Sequence, residues 1–289
     1  MAVVIPCFND GRFVTDAVRS AHEQEEPCEI VVVDDGSSDP ETLRILDQLE
    51  SESVRVVHQA NSGLSAARMA GVADSSAPYV QPLDADDRLA PGVLGILADV
   101  LDADPGASAA WGFTEAFGAT QSQNVHSDGF DPWRLTFLNE VPTTILTRRS
   151  ALLEVGGWEL ADAGYEDWDL NLKAAEHGWV GIRVDHAHTQ YRQHAESRML
   201  DEAIRNHERL HDLLRQRHPE LFASRRQLRR QSRSRPAVKA AWSAIDLLPS
   251  ISSYRKMRLS FLARDLLEPE MRPPGTPGLT ERIRHKLSR

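Results

Sequence analysis

Four short apolar runs, each closed by a polar turn and separated from the next by helical spacing, constrain this 289-residue chain more than any other feature. Residues 2–6, 29–33, 54–57 and 78–83 are rich in β-branched side chains and too short for helices, as buried parallel strands are. Between them, residues 13–23, 40–50 and 64–73 carry helical spacing, the second opened by Pro40. The resulting β-α-β-α-β-α-β order predicts an α/β fold with a mostly parallel central sheet flanked by helices. Such sheets bind ligands beyond the carboxyl ends of their strands. Asn9, Asp34, Asp35 and Asn61 fall there, and so does the cluster Asp84, Asp86 and Asp87. One crevice should collect them.

The cluster asks for an explanation of its own. Desolvating a carboxylate costs several kcal/mol, so three within four residues want open water or a cation. If the chain bends at Ala85, Asp84 and Asp86 lean together, and Mg2+ or Mn2+ favours such oxygen ligands. A solvated acidic turn is the other reading. Further along, residues 91–102 read as a helix, 109–113 as a strand, 120–131 as a loop, and 142–146 as strand-like. A short helix over 149–155 ends at Gly156 and Gly157. Another opens at Gly164-Tyr165-Glu166-Asp167-Trp168-Asp169 and stops at Gly178, with Asp169 facing solvent. Residues 179–184 read as a last strand, 191–197 as a loop, and 201–217 and 236–248 as helices.

Charge divides the chain in two. Residues 1–199 carry 13 basic and 33 acidic side chains, whereas 200–289 carry 20 and 10, with Arg at six of the eleven positions 225–235. A domain boundary near residue 199 and a basic helical extension from 200 to 289 follow. Basic residues interleaved with Trp242, Ile245, Leu247, Leu248, Leu259 and Leu262 suit either an anionic membrane surface or a helix packed on the first domain. No run of 18 apolar residues occurs, and Cys7 and Cys28 lack metal-ligand spacing. A cytoplasmic protein, peripheral at the inner face of the plasma membrane, is the expectation.

Five motifs occur in order between residues 2 and 198: Val-Val-Ile-Pro-Cys-Phe-Asn, Val-Val-Val-Asp-Asp-Gly-Ser-Ser-Asp, Asn61-x-Gly63 leading to Ala67-Arg68, Leu-Asp-Ala-Asp-Asp, and Gly-Tyr-Glu-Asp-Trp-Asp-Leu. Together they resemble the family 2 glycosyltransferases of the GT-A fold. The resemblance implies an inverting, hexosyltransferase-type enzyme acting on a nucleotide-diphosphate-sugar, a UDP- or dTDP-sugar. Its acceptor would be a hydroxyl on a glycan, lipid-linked or other molecule, in cell-surface glycan or polysaccharide biosynthesis. It assigns donor binding to Pro6, Phe8, Asn9, Asp35, Arg68, Asp84, Ala85 and Asp86. It assigns a Mn2+ or Mg2+ ion to Asp84, Asp86 and His194, the last in Tyr-Arg-x-His. Asp167 becomes the base that deprotonates the acceptor, and Glu166 and Trp168 flank the acceptor sugar.

Each residue also has a plainer reading. Phe8 can be core, Asp35 can close a turn before Gly36, Arg68 can form an ion pair, and Glu166 and Asp167 can serve only as charges at a helix N-terminus. A nicotinamide oxidoreductase is disfavoured because the first strand leads into Pro-Cys-Phe-Asn-Asp-Gly and not Gly-x-Gly-x-x-Gly. A phospho-receiver would carry its acid pair after the first strand, which this chain does not, and nothing points to nucleic acid. A catalytically inactive nucleotide-sugar-binding scaffold is the remaining alternative.

Overall fold

In the computed structural model, which describes residues 1–119, 121–160, 164–194 and 205–271, the four apolar runs form β1 (Ala2–Cys7), β2 (Glu29–Asp34), β3 (Arg55–His58) and β4 (Tyr79–Pro82). They pair in parallel in the order β3-β2-β1-β4, with Val3 opposite both Ile30 and Gln81. The crossovers are α1 (Gly11–His22), α2 (Pro40–Ser51) and α3 (Leu64–Ala73). Helix α1 buries Val14, Ala17, Val18 and Ala21 along one face, and Asp39 caps α2 by accepting from the Thr42 N–H at 2.8 Å. Small residues let α3 lie directly on the sheet. A Cβ at Gly71 would stand 2.3 Å from Val4 Cγ1. That closeness sets how far Arg68, on the same helix, reaches into the crevice.

Beyond β4 the sheet changes character. β8 (Leu146–Arg148) adds antiparallel to β4, followed by β6 (Ala107–Gly118), β9 (Val180–Gln193) and β5 (Arg88–Leu89), with β7 (Ser122–Asn124) alongside β6. Three sequence expectations are corrected here: Ser122–Asn124, inside the expected loop at 120–131, pair with β6 as β7, the strand expected at 142–146 begins only at Leu146, where pairing with β6 starts, and the loop expected from residue 191 starts later. Residues 191–193 are strand, because β9 continues with Tyr191 opposite Ala116 and Arg192 opposite Phe117, well past the apolar stretch at 180–184. The two-residue β5, invisible to any periodicity, pairs with Thr189 and Gln190 and pins the far side of the acidic cluster.

The remaining helices are α4 (Val93–Ala103), α5 (Pro132–Leu135), α6 (Arg149–Glu154), α7 (Glu166–Glu176), α8 (His207–Arg217), α9 (Pro219–Ala223), α10 (Arg225–Gln231), α11 (Pro236–Asp246) and α12 (Ser253–Leu267). One core lies between the sheet and α1, α2 and α4, and a second on the other face under α3, α6 and α7. Leu214 and Leu221 from the basic extension complete that second core, while Val238 and Trp242 form a third with Trp133, Phe137 and Leu138. The expected boundary at 199/200 lies outside the described residues. Asp169 does not face solvent. It is fully buried, with Arg217 Nε at 2.5 Å and His218 Nε2 at 3.1 Å, because α8 packs on the face of α7 that carries it. Among the described residues no helix is long and apolar enough to cross a membrane.

Candidate active site

The loops after β1, β2 and β3 knit into one floor. Pro6 is buried in its strand, while Phe8 just beyond it is 51% exposed and offers a free ring. Asn9 takes a φ of 55°, a left-handed conformation that Asn tolerates, and its Oδ1 accepts from the N–H groups of Ser38 and Asp39 at 2.8 and 2.9 Å. Asp34 serves its turn, accepting from the Ser37 N–H at 2.9 Å and pairing with His58. Asp35 Oδ1 accepts from Gln59 Nε2 and the Ser62 N–H at 2.7 and 2.8 Å, and Oδ2 from the Gly63 N–H at 2.9 Å. The carboxylate therefore holds the β3–α3 loop first, with Oδ2 the less occupied oxygen. Gly36, at a φ of 75°, admits the close approach, since a Cβ there would lie 2.6 Å from Asn61 N.

The acidic cluster forms a turn, with the Asp87 N–H donating to the Asp84 carbonyl at 3.0 Å and Ala85 buried beneath. Asp86 Oδ2 lies 2.7 Å from His194 Nε2. Arg192 fastens the turn to β9, its Nε donating to the Asp86 carbonyl and its N–H to Asp87 Oδ1, each at 2.8 Å. Its guanidinium sits 4.5 Å from the ring centroids of both Phe13 and Phe117. Burial, with Asp84 and Asp86 alongside, holds the Asp87 carboxyl well above the ordinary range. Asp10 is also raised, by burial and then by the nearby charge of Asp86. Neither Arg192 nor Asp10 stood out in the sequence as a site residue, although Arg192 precedes His194 in the quoted motif.

Arg68 joins this turn to α7. It is 1% exposed, and its two terminal nitrogens donate to Asp84 Oδ1 at 2.7 Å and Glu166 Oε1 at 3.0 Å. Its Nε is buried without a partner among the described residues. Burial opposes the guanidinium charge, and the two carboxylates outweigh it and raise its pKa. Next to Glu166, Asp167 Oδ2 accepts from Asn139 Nδ2 at 2.8 Å and Thr143 Oγ1 at 3.0 Å. Its other oxygen accepts from the Trp168 N–H at 2.8 Å. Desolvation, then the charge of Glu166, pushes its pKa up to about 6, although the side chain keeps an open edge. Asn139 and Thr143 carried no signal in the sequence. Trp168 differs from expectation: it is 2% exposed, its Nε1 donates to the Leu135 carbonyl, and it offers no face to a sugar. The reason is helical geometry, which turns the residue after Asp167 into the core.

A divalent ion fits this place in part. Among the described residues no group of three or more metal-ligating side chains converges tightly. Asp86 and His194 do converge, at 2.7 Å, and Asp84 keeps its second oxygen beyond the one held by Arg68. Oxygen donors with one imidazole suit Mn2+ or Mg2+, provided that a ligand such as a diphosphate supplies the remaining oxygens.

The pattern matches a known family. The description "Glycosyl transferase family 2" fits residues 2–156, more than half of the chain. This protein belongs to glycosyltransferase family 2. Its relatives include the chondroitin synthase of Escherichia coli, 27% identical over 187 residues covering 62% of this chain and 27% of that one. The hyaluronan synthase of Pasteurella multocida is 26% identical, covering 62% and 19%. The succinoglycan biosynthesis protein ExoU of Rhizobium meliloti is 36% identical over 99 residues, 34% of this chain and 29% of that one. The chain thus spans about a fifth to a quarter of the length of the two synthases it matches. Among solved structures, residues 1–349 of Staphylococcus aureus TarS, crystallised with UDP-GlcNAc, superpose with a TM-score of 0.61 at 16% identity, covering 93% of this chain and 88% of that one. The fold is the GT-A arrangement of that glycosyltransferase, a curled, mostly parallel sheet with helices on both faces.

Proposed function

We propose that this glycosyltransferase is a metal-dependent, inverting hexosyltransferase that moves a sugar from a UDP- or dTDP-sugar to a hydroxyl of a cell-surface glycan or polysaccharide. One observation carries the reading: the single guanidinium of Arg68 bonds both Asp84 and Glu166, which brings the acidic turn and the residue beside Asp167 to one place. The donor's base would stack on exposed Phe8, and its diphosphate would lie over Asp84, Ala85 and Asp86, near Arg68. A Mn2+ or Mg2+ ion held by Asp84, Asp86 and His194 would offset the charge growing on that diphosphate. Asp167 accepts the proton of the acceptor hydroxyl as its oxygen bonds to the anomeric carbon, and the bond from that carbon to the diphosphate oxygen breaks on the opposite face. A carboxylate whose pKa is near 6 suits this work, being ionised at neutral pH yet basic enough to take a proton. The names of the relatives, two polysaccharide synthases and a succinoglycan biosynthesis protein, support a polysaccharide acceptor. TarS, crystallised with UDP-GlcNAc, supports a uridine donor.

Contact with an anionic membrane belongs to the same proposal. Leu247, Leu248, Leu259, Leu262 and Leu266 are 80, 43, 37, 42 and 48% exposed, and Arg255 and Arg258 lie exposed on the same helix as the last three. Leucines and arginines together suit a lipid–water interface.

Asp167→Asn tests the reading. Turnover should fall by about 10²- to 10⁴-fold, as loss of a general base does, while UDP affinity in Mn2+ stays within about twofold. Near-normal turnover would reject Asp167 as the base. Unchanged UDP binding with no turnover in the native chain against a range of UDP- and dTDP-sugars and glycan acceptors would favour the inactive scaffold.

A further inference from the structure

The basic extension reaches the active site through a buried ionic network. Arg134, on α5, is nearly buried. Its Nε and one terminal nitrogen grip Glu140 at 2.5 and 2.8 Å, and its two terminal nitrogens grip Glu268, just past α12, at 3.0 and 2.8 Å. Arg264, on α12, adds a contact to Glu140 at 3.4 Å, and the Arg134 guanidinium lies 4.9 Å from the Trp242 ring centroid on α11. Ser232 Oγ donates to Asp131, the cap of α5, at 2.6 Å, and Arg225 donates to Thr136 Oγ1 at 3.0 Å. The extension therefore clamps residues 131–140 at several points.

Residue 139, directly before the clamped Glu140, is the asparagine that donates to Asp167, and its own Oδ1 accepts from Asn171 at 2.9 Å. Thr143 follows three residues after Glu140 and makes the second bond to the same Asp167 oxygen. Helix α8 grips the other partner. His207 Nδ1 lies 2.6 Å from the hydroxyl of Tyr165, the residue that opens α7, and Arg217 and His218 hold Asp169. The carboxylate and its two donors sit on separate segments, and the extension holds each segment. A buried, bidentate arginine between two carboxylates fixes geometry closely, because its planar fork leaves little freedom.

We infer that the C-terminal helices are part of the catalytic apparatus, and that Arg134, Glu140 and Glu268 are positioning residues that set the orientation and hydrogen bonding of Asp167 through Asn139 and Thr143. The inference rests on Asp167 being the base, but its test does not. The titratable and charged groups that face Asp167 are Glu166 and the Tyr165 hydroxyl at the start of its own helix and Arg68 on α3, and none of them is altered by the substitutions used here. Slackening the network should therefore act on Asp167 through its two donors alone. Losing hydrogen bonds to the ionised form raises a carboxyl pKa.

The full chain, labelled with 13C at aspartate carboxyls, provides the readout, with the Asp167 signal assigned by its loss in Asp167→Asn. Glu268→Gln, which keeps the shape and removes one charge, should move the Asp167 titration upward by about half a unit, and Arg134→Lys, which removes the fork, by about one unit or more. Turnover of a UDP-sugar at pH 6 should fall with the same rank order, while UDP affinity stays within about twofold. Leu43→Ser, an exposed change on α2 outside the network, should leave the titration where it is. The inference is overturned if both network variants remain folded by circular dichroism and titrate as the parent does, or if Leu43→Ser shifts Asp167 as far as they do. Should Arg134→Lys unfold, Glu268→Gln alone decides. If instead the titration shifts as expected but Asp167→Asn turns over normally, the brace stands and the role of Asp167 as base falls.

Discussion

Arg68 offers the most direct quantitative test of how the site is held together. The perturbation is Arg68→Met, which keeps a long side chain in the buried space and removes the cation. Its two partners are not equal. The Glu166 side chain is 9% exposed and cannot turn to water, whereas that of Asp84 is 33% exposed and can. Breaking a buried ion pair by removing one partner costs about 3–5 kcal/mol, nearly all of it the penalty of the stranded charge. The Glu166 half should account for most of the loss. The Trp158 ring centroid, 5.6 Å from the guanidinium, adds less than about 1 kcal/mol. At about 2–4 °C per kcal/mol for a domain of this size, the melting temperature should fall by about 6–20 °C.

The double variant Arg68→Met with Glu166→Gln makes the prediction sharper. A neutral glutamine leaves no stranded charge, so the pair should melt above Arg68→Met alone, with a coupling energy of about 1–3 kcal/mol. Calorimetry of the three variants beside the parent, at one pH and salt concentration, reads this directly. The reasoning is refuted if Arg68→Met costs less than about 1 kcal/mol, or if the two substitutions simply add. Either result would mean that Glu166 finds water or another cation, and that Arg68 does not tie the acidic turn to α7.

Four further outcomes follow from the site and the surface. Burial and Glu166 place the Asp167 pKa at about 6, so turnover at saturating donor should fall as pH drops through that value; a rate flat between pH 5 and 8 would contradict a base of this kind. The same raised pKa favours folding below the ordinary value of 3.8, a contribution lost as pH rises through about 6, so Asp167→Asn should gain stability relative to the parent above pH 6. Donor binding should require Mn2+ or Mg2+, and Asp86→Ala should remove that requirement along with turnover by about 10²-fold or more; UDP binding of equal strength in excess chelator would count against a bridging ion. Sedimentation with vesicles rich in anionic lipid should carry the full chain down at low salt and release it as salt rises, and Leu259→Ser with Leu262→Ser should weaken it. No sedimentation at low salt would remove the membrane from the proposal.

The parallel half of the sheet was legible because its signals are local. A buried strand writes its apolar run into consecutive residues, and the polar turns at residues 9, 34–35, 61–63 and 84–87 mark the carboxyl ends directly. Asp84, Asp86 and Asp167 could be singled out as candidates for the same reason, since each lies within a short motif. Where pairing decides the structure, local signals fail. β5 exists because Arg88 and Leu89 meet β9, and Tyr191 to Gln193 are strand because β6 runs beside them. Trp168 and Asp169 were misjudged for a related reason. A helix presents its residues to whatever packs on it, and α7 is covered on faces that a single amphipathic pattern would leave open.

The basic extension shows the same limit in its strongest form. Its arginines form a run with no periodic signature, and a charge run most often means a solvated face. Exposure bears this out for Arg226, Arg229, Arg230 and Arg233, but Arg217, Arg225 and Arg264 each meet a carboxylate or carbonyl of residues 131–176, far away in sequence. What separates the two sets is their partner, and partners 48 to 124 residues apart leave no trace in spacing. The net charge of each half nevertheless held a clue. An acidic first part of −20 and a basic tail of +10 complement each other, so their attraction favours docking of the tail on its own chain before any external surface is invoked. The inward-facing arginines meet that complement. The outward-facing ones, together with Leu247, Leu259 and Leu262, stay open to solvent, so the proposed membrane contact would use the opposite face of these helices and leave the inward docking intact.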